Sequence, residues 1–136
     1  MIENRKSEHV NIVMEKDVRA HHNYWDDISL IHQAMPEINY DEIDLSAEFF
    51  GRRLKYPIII ESMTGGFSEA KKLNETMAKV AAELQIGMGV GSERIILKNK
   101  DVLDTFSVIK DFDIPLRIAN IGAPQEQGLV LITIQG

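Results

Sequence analysis

Ser62-Met63-Thr64-Gly65-Gly66 closes the first strongly apolar run of the chain, Pro57-Ile58-Ile59-Ile60. Two hydroxyls, loop amides and paired glycines at a strand end suit an anion or a planar cofactor, because glycine takes positive φ and lets backbone approach a ligand. The same residues also fit a glycine turn that merely starts the next helix. Further on, Ser92, Glu93 and Arg94 follow Gly91. A hydroxyl and a guanidinium are well chosen for phosphate, although Arg94 equally suits an ion pair with Glu93 or with an acidic residue nearer the N-terminus. Arg5, Lys6 and His9 put two fixed cations and an imidazole in one short segment. Such a cluster can grip a diphosphate through charge-assisted hydrogen bonds, and it also reads as a solvated terminus.

Other chemistries are poorly supported. The chain has no cysteine, hence no thiolate nucleophile, disulfide framework or Cys-based zinc site. His21, His22 and His32 have no carboxylate at a diagnostic metal spacing, and no metal ligand is assigned. Gly87-Met88-Gly89-Val90-Gly91 is not the dinucleotide fingerprint G-x-G-x-x-G. A formal net charge of -6 argues against broad nucleic-acid binding. There is no apolar run of the roughly 18 residues a membrane span needs, and no signal peptide, so a cytoplasmic protein with no membrane partner is expected.

The elements that must position these residues follow from periodicity. With 136 residues, 44% hydrophobic and 26% charged, the chain suits one core. Residues 1–24 read as a polar arm or short hairpin outside the core. Residues 25–54 read as short strands or irregular segments, with turns at Met35-Pro36 and Gly51-Arg52. A buried strand at Ile58–Ile60 precedes an amphipathic helix from Ser68, its N-cap, to Leu84; Ala70, Leu73, Met77, Val80, Ala81 and Leu84 form the packing stripe. Ile86 to Gly91 reads as a second strand whose alternating glycines bare one face to close approach. A second helix spans Lys100 to Lys110, and a third strand Leu116 to Asn120. The strands recur about every 30 residues, the size of a βαβ unit, which requires parallel strands joined by crossovers. Each ends in polar or glycine-rich residues, where parallel α/β folds bind ligands.

Arg5-Lys6-Ser7-Glu8-His9-Val10, Ser62-Met63-Thr64-Gly65-Gly66, Gly89-Val90-Gly91-Ser92-Glu93-Arg94 and Ala119-Asn120-Ile121-Gly122 stand in an order and spacing that resembles the type 2 isopentenyl-diphosphate isomerases. The resemblance runs from about Arg5 to Gln125. It implies FMN, a magnesium ion, NADPH as flavin reductant, homo-oligomers, and interconversion of isopentenyl and dimethylallyl diphosphate. It also implies an α/β fold, an incomplete TIM (β/α)8 barrel comprising a leader and about three parallel strands with two intervening helices. In those terms residues 1–55 are a leader with a diphosphate-gripping arm, part of it over the bottom or side of the barrel. Residues 56–125 are the first βαβαβ portion, in which Ile58, Ile60, Met88 and Val90 would face the barrel interior. Residues 126–136 are a divergent apolar tail.

Carried over by resemblance, Arg5, Lys6, His9, Ser92, Glu93 and Arg94 bind substrate, and Ser62, Met63, Thr64, Gly65, Ser92 and Asn120 bind flavin. Glu93 departs from the family's usual Gln and would repel a diphosphate. No catalytic residue and no magnesium ligand is assigned, and the chain alone is expected to be inactive because it matches only the first third of such an enzyme. The alternatives are another FMN-dependent barrel oxidoreductase, whose later histidine and arginine are not found here, and a non-catalytic or partner-dependent remnant.

Overall fold

The structure, a computed structural model, describes residues 2–121 and, for residues 2–5, the backbone alone. The polar arm is not a hairpin. Ile2–Glu15 forms one helix, α1, in a stretch with neither glycine nor proline to interrupt it. Lys6, Ser7 and Val10 lie on its half-buried side, while Val13 and Met14 are exposed. Irregular chain with two 3-10 turns, Tyr24–Asp27 and Tyr40–Glu42, leads to an antiparallel hairpin of β1 (Ala47–Phe49) and β2 (Arg52–Leu54). Its two linking residues both take positive φ, 49° at Phe50 and 69° at Gly51, as the right-handed twist of a two-residue hairpin demands.

Three parallel strands follow in sequence order: β3 (Ile59–Ile60), β4 (Gly87–Gly89) and β5 (Leu116–Ile118). The helix α2 (Ala70–Leu84) joins the first two. Between the second and third runs a tighter helical stretch in which α3 (Asp104–Ser107) is flanked by 3-10 turns at Lys100–Val102 and Val108–Asp111. The expected α/β alternation and parallel sheet are therefore present, and the described residues form no closed barrel. Lys55 N donates to Gln85 O at 2.9 Å, and Leu54 is buried, so the hairpin sits against the amino end of β4.

Ala78, Ala81, Ile86, Met88, Val90, Phe106, Ile109 and Ile114 form one buried cluster between the sheet and the two helical segments. This corrects the assignment of faces. Met88 and Val90 point into the helix layer, and the alternating glycines bare the opposite face. The large residues take the side where α2 and α3 cover them, since burying an apolar side chain there is worth about 1.5–3 kcal/mol. What approaches Gly89 and Gly91 is the chain's own first loop, whereas Gly87 faces the Ile59 side chain of β3. A β-carbon at Gly89 would collide with the Ser62 side chain, and one at Gly91 would lie 2.7 Å from the Met63 carbonyl oxygen.

Other expectations shift by similar causes. The buried face of α2 is Ala70, Asn74, Ala78 and Ala81, whereas Val80 and Leu84 are exposed. Close packing on the sheet selects the small side chains over the larger apolar ones. Ser68 does not cap the helix; its hydroxyl binds the Glu69 carboxylate at 2.6 Å. The helix ends on Gln85 in the left-handed region (φ 52°), whose side-chain amide donates to Ala82 O and Asp113 O. Ile58 is 55% exposed rather than buried; it precedes β3, which is an edge strand of the sheet.

Candidate functional site

The carboxyl ends of the parallel strands lead into three loops: residues 61–66, 90–94 and 119–121. The first is fixed from below. Asn74, fully buried on α2, accepts the hydroxyl of Thr64 on its Oδ1 and donates through Nδ2 to Thr105 O at 2.6 Å and to Thr64 O at 3.3 Å. Thr64 O also accepts from Gly91 N at 2.7 Å, which ties this loop to the end of β4. Gly66 N donates to Thr105 Oγ1 at 2.9 Å, and that hydroxyl donates on to Val102 O at 2.6 Å.

Gly65 (φ 147°) and Gly66 (φ 82°) turn the chain where a side chain has no room. A β-carbon on Gly65 would run into the Phe106 ring, and one on Gly66 would lie 2.6 Å from Ile95 Cγ2 and 3.2 Å from Lys6 Nζ. In this structure the flat ring that uses the clearance is thus Phe106.

Lys6 reaches across from α1. Its ammonium donates to Gly65 O at 2.5 Å and to Ser92 O at 3.1 Å, and it stands 5.2 Å from the centroid of the Phe106 ring. One cation therefore bridges the loops after two adjacent strands. Burial, and then the positive charge of Arg94, holds its pKa below the ordinary 10.5. Lys6 and Arg94 thus bring two positive charges near enough to influence one another, an arrangement suited to an anion. The Ser92 hydroxyl oxygen, on the residue whose carbonyl binds Lys6, is buried with no hydrogen-bond partner among the described residues.

Glu93 goes elsewhere. With Lys110, Arg117 and the apolar Val90, Phe106 and Ile109, it lines a cavity of about 310 Å³ on the helix side of the sheet. Burial raises its pKa above 4.5, an effect that Lys110 opposes. Its backbone N–H donates to Asn120 O at 2.9 Å, which joins the second loop to the third.

Of the residues singled out in the sequence, the structure gathers Lys6, Thr64, Gly65 and Ser92, with Arg94 near enough to act on Lys6 by charge. Ser62 packs over Gly89, and Met63 is 71% exposed at the loop tip. Asn120 lies half-buried beside Glu93 rather than against Lys6. His9 is exposed, the Arg5 side chain lies outside the description, and so do Gly122 and the tail 126–136. His22 pairs with Asp27 at 3.0 Å on the surface, and no three histidine, aspartate or glutamate side chains converge among the described residues. Asn74 and Thr105 were not anticipated. The available signal was an asparagine on the same helix face as Ala70, Ala78 and Ala81, where a polar group needs partners.

No family model matches the chain. Among curated proteins it is 52% identical over 125 residues to the isopentenyl-diphosphate delta-isomerase of Picrophilus torridus and 54% identical over 125 residues to that of Thermoplasma acidophilum. It is 44% identical over 126 residues to the protein of the same name from Sulfurisphaera tokodaii. These matches take in 92%, 92% and 91% of this chain but 36%, 36% and 34% of the relatives, so the chain spans about a third of their length.

Proposed function

We propose that this chain, homologous over 92% of its length to isopentenyl-diphosphate delta-isomerases, is the N-terminal portion of such an enzyme and supplies the diphosphate end of its substrate site. The observation that carries the reading is Lys6 bridging Gly65 O and Ser92 O beside Arg94 at the carboxyl ends of adjacent parallel strands. Lys6 and Arg94, joined by Arg5 and His9 of the same helical arm, hold the diphosphate of isopentenyl or dimethylallyl diphosphate. Glu93, turned toward Lys110 and Arg117, does not oppose them.

The sheet supports the finer fold reading, the opening of a (β/α)8 barrel. Its strands lie in sequence order, and both helical segments pack into one core on the same face, as barrel winding requires; a doubly wound sheet places helices on both faces. FMN is the proposed cofactor, with NADPH as its reductant. The buried, unpartnered Ser92 hydroxyl is the feature here that fits a bound group, and Ser62, Met63, Thr64, Gly65 and Asn120 line the same strand ends. When bound, reduced flavin supplies the acid–base chemistry that moves a proton between the terminal alkene carbon and the allylic position. The chain's own residues bind the diphosphate and hold the loops in register. The described side chains offer no convergent carboxylates for magnesium, and no magnesium chemistry is assigned to them.

On this reading the chain by itself turns over no substrate, because the three described parallel strands leave their end loops open to water, Met63 among them. The experiment is a graft of residues 1–121 in place of the matching segment of the Thermoplasma acidophilum relative, assayed with FMN, NADPH, magnesium and isopentenyl diphosphate. Formation of dimethylallyl diphosphate supports the reading. A folded, flavin-loaded graft without turnover overturns it.

A further inference from the structure

The structure assigns to Asn74 the role of a positioning residue that sets the Thr64–Gly66 loop so that Gly65 O is presented to Lys6. The assignment deepens the proposed function, since that loop borders the proposed site, but its geometry stands without any ligand. Every polar atom of the Asn74 amide is used. Oδ1 accepts from the Thr64 hydroxyl, and the two hydrogens of Nδ2 go to Thr105 O and Thr64 O. The side chain is fully buried, so water replaces none of these bonds.

Its partners carry the effect outward. Thr64 O is shared with Gly91 N, so Asn74 fixes the distance between the loop after β3 and the end of β4. Thr105, held by its own bond to Val102 O, grips Gly66 N from the other side. Gly65 lies between these two clamped residues, and its carbonyl is the closer of the two that hold the ammonium of Lys6. The Thr64 hydroxyl, the expected flavin contact, spends its hydrogen on Asn74. The loop therefore faces a ligand with backbone groups, and a residue at the middle of the α2 crossover sets where those groups stand.

The test titrates the Lys6 ammonium by NMR in the full chain, through its side-chain carbon next to nitrogen, for the wild type, Asn74→Ala, Thr105→Val and Thr105→Ser. Exchange of the Gly87 and Val90 amides, bonded to Ile58 O and Ile118 O, reports whether the sheet is intact. With those amides unchanged, Asn74→Ala is expected to shift the Lys6 midpoint away from its wild-type value and to speed exchange at Gly66 and Gly91 at least tenfold. Thr105→Val, which removes the Gly66 acceptor, is expected to act in the same direction, and Thr105→Ser to restore wild-type behaviour. A Lys6 midpoint and Gly66 and Gly91 protection that stay at wild-type values in Asn74→Ala overturn the assignment. Should Asn74→Ala unfold the sheet, Thr64→Val, which removes only the hydroxyl that Asn74 Oδ1 accepts, decides in the same terms. Because no readout involves flavin or diphosphate, failure of the proposed function leaves this result standing, and the converse holds.

Discussion

The ring of Phe106 occupies the space that a β-carbon on Gly65 would need, so an aromatic side chain of α3 and a glycine of the β3 loop are packed as one unit. Gly65 also holds φ at 147°, a conformation L side chains rarely adopt. Gly65→Ala should therefore lose stability on two counts, crowding and backbone strain, by about 2–5 kcal/mol in total. Urea denaturation is the measurement. Combining it with Phe106→Leu relieves the crowding, and the double substitution should cost less than the sum of the two single ones. Strict additivity would contradict the contact.

Lys6 gives a pH signature. Its folded pKa lies below 10.5 because burial and then Arg94 disfavour the charged form. Between that lowered value and 10.5 the unfolded chain binds more protons than the folded one, so stability rises with pH across the window. The cost of the buried charge is present in full below the folded pKa and gone above 10.5. Lys6→Met should lack this rise. The stability difference between variant and wild type, followed by denaturant midpoints from neutral pH upward, should shift in favour of the wild type as pH increases. A difference independent of pH would show that the ammonium is not buried in solution.

Glu93 gives the opposite window. Burial raises its folded pKa above 4.5, and Lys110 offsets only part of that. A group raised in this way favours the fold below the unfolded pKa and loses that contribution as pH climbs through the folded one. Glu93→Gln removes the charge and keeps the shape. It should be more stable than the wild type at neutral pH, by less than about 1 kcal/mol after solvent screening, and equal to it below 4.5. Greater stability of the wild type at neutral pH would mean that Glu93 is tightly paired with Lys110 or Arg117.

Much of this architecture was legible because apolar runs, glycines and helical periodicity are local properties. The three parallel strands, the helical segments between them and the polar strand ends follow from those alone. Which way a strand faces is not local. Gly87 to Gly91 alternates with period two whichever side is covered, and only the packing of Ala78, Ala81 and Phe106 over Met88 and Val90 decides it. The buried face of α2 differs from the apolar stripe because alanine and leucine are equally apolar in a pattern, while contact with a sheet selects the smaller. Lys6 could be named from its type, but its pairing with carbonyls 59 and 86 residues away is tertiary. Asn74 shares a helix face with Ala70, Ala78 and Ala81 in the sequence, but its role is tertiary in the same way: its partners lie 10 and 31 residues on either side.

If Lys6 meets the substrate's diphosphate rather than the flavin, replacing it by alanine in the graft carrying residues 1–121 shows it directly. Affinity for isopentenyl diphosphate, measured by calorimetry on the flavin-loaded protein, is predicted to fall by about 1.5–3 kcal/mol, the worth of a hydrogen bond to a charged group, with FMN content unchanged. Loss of FMN with substrate affinity intact would contradict it.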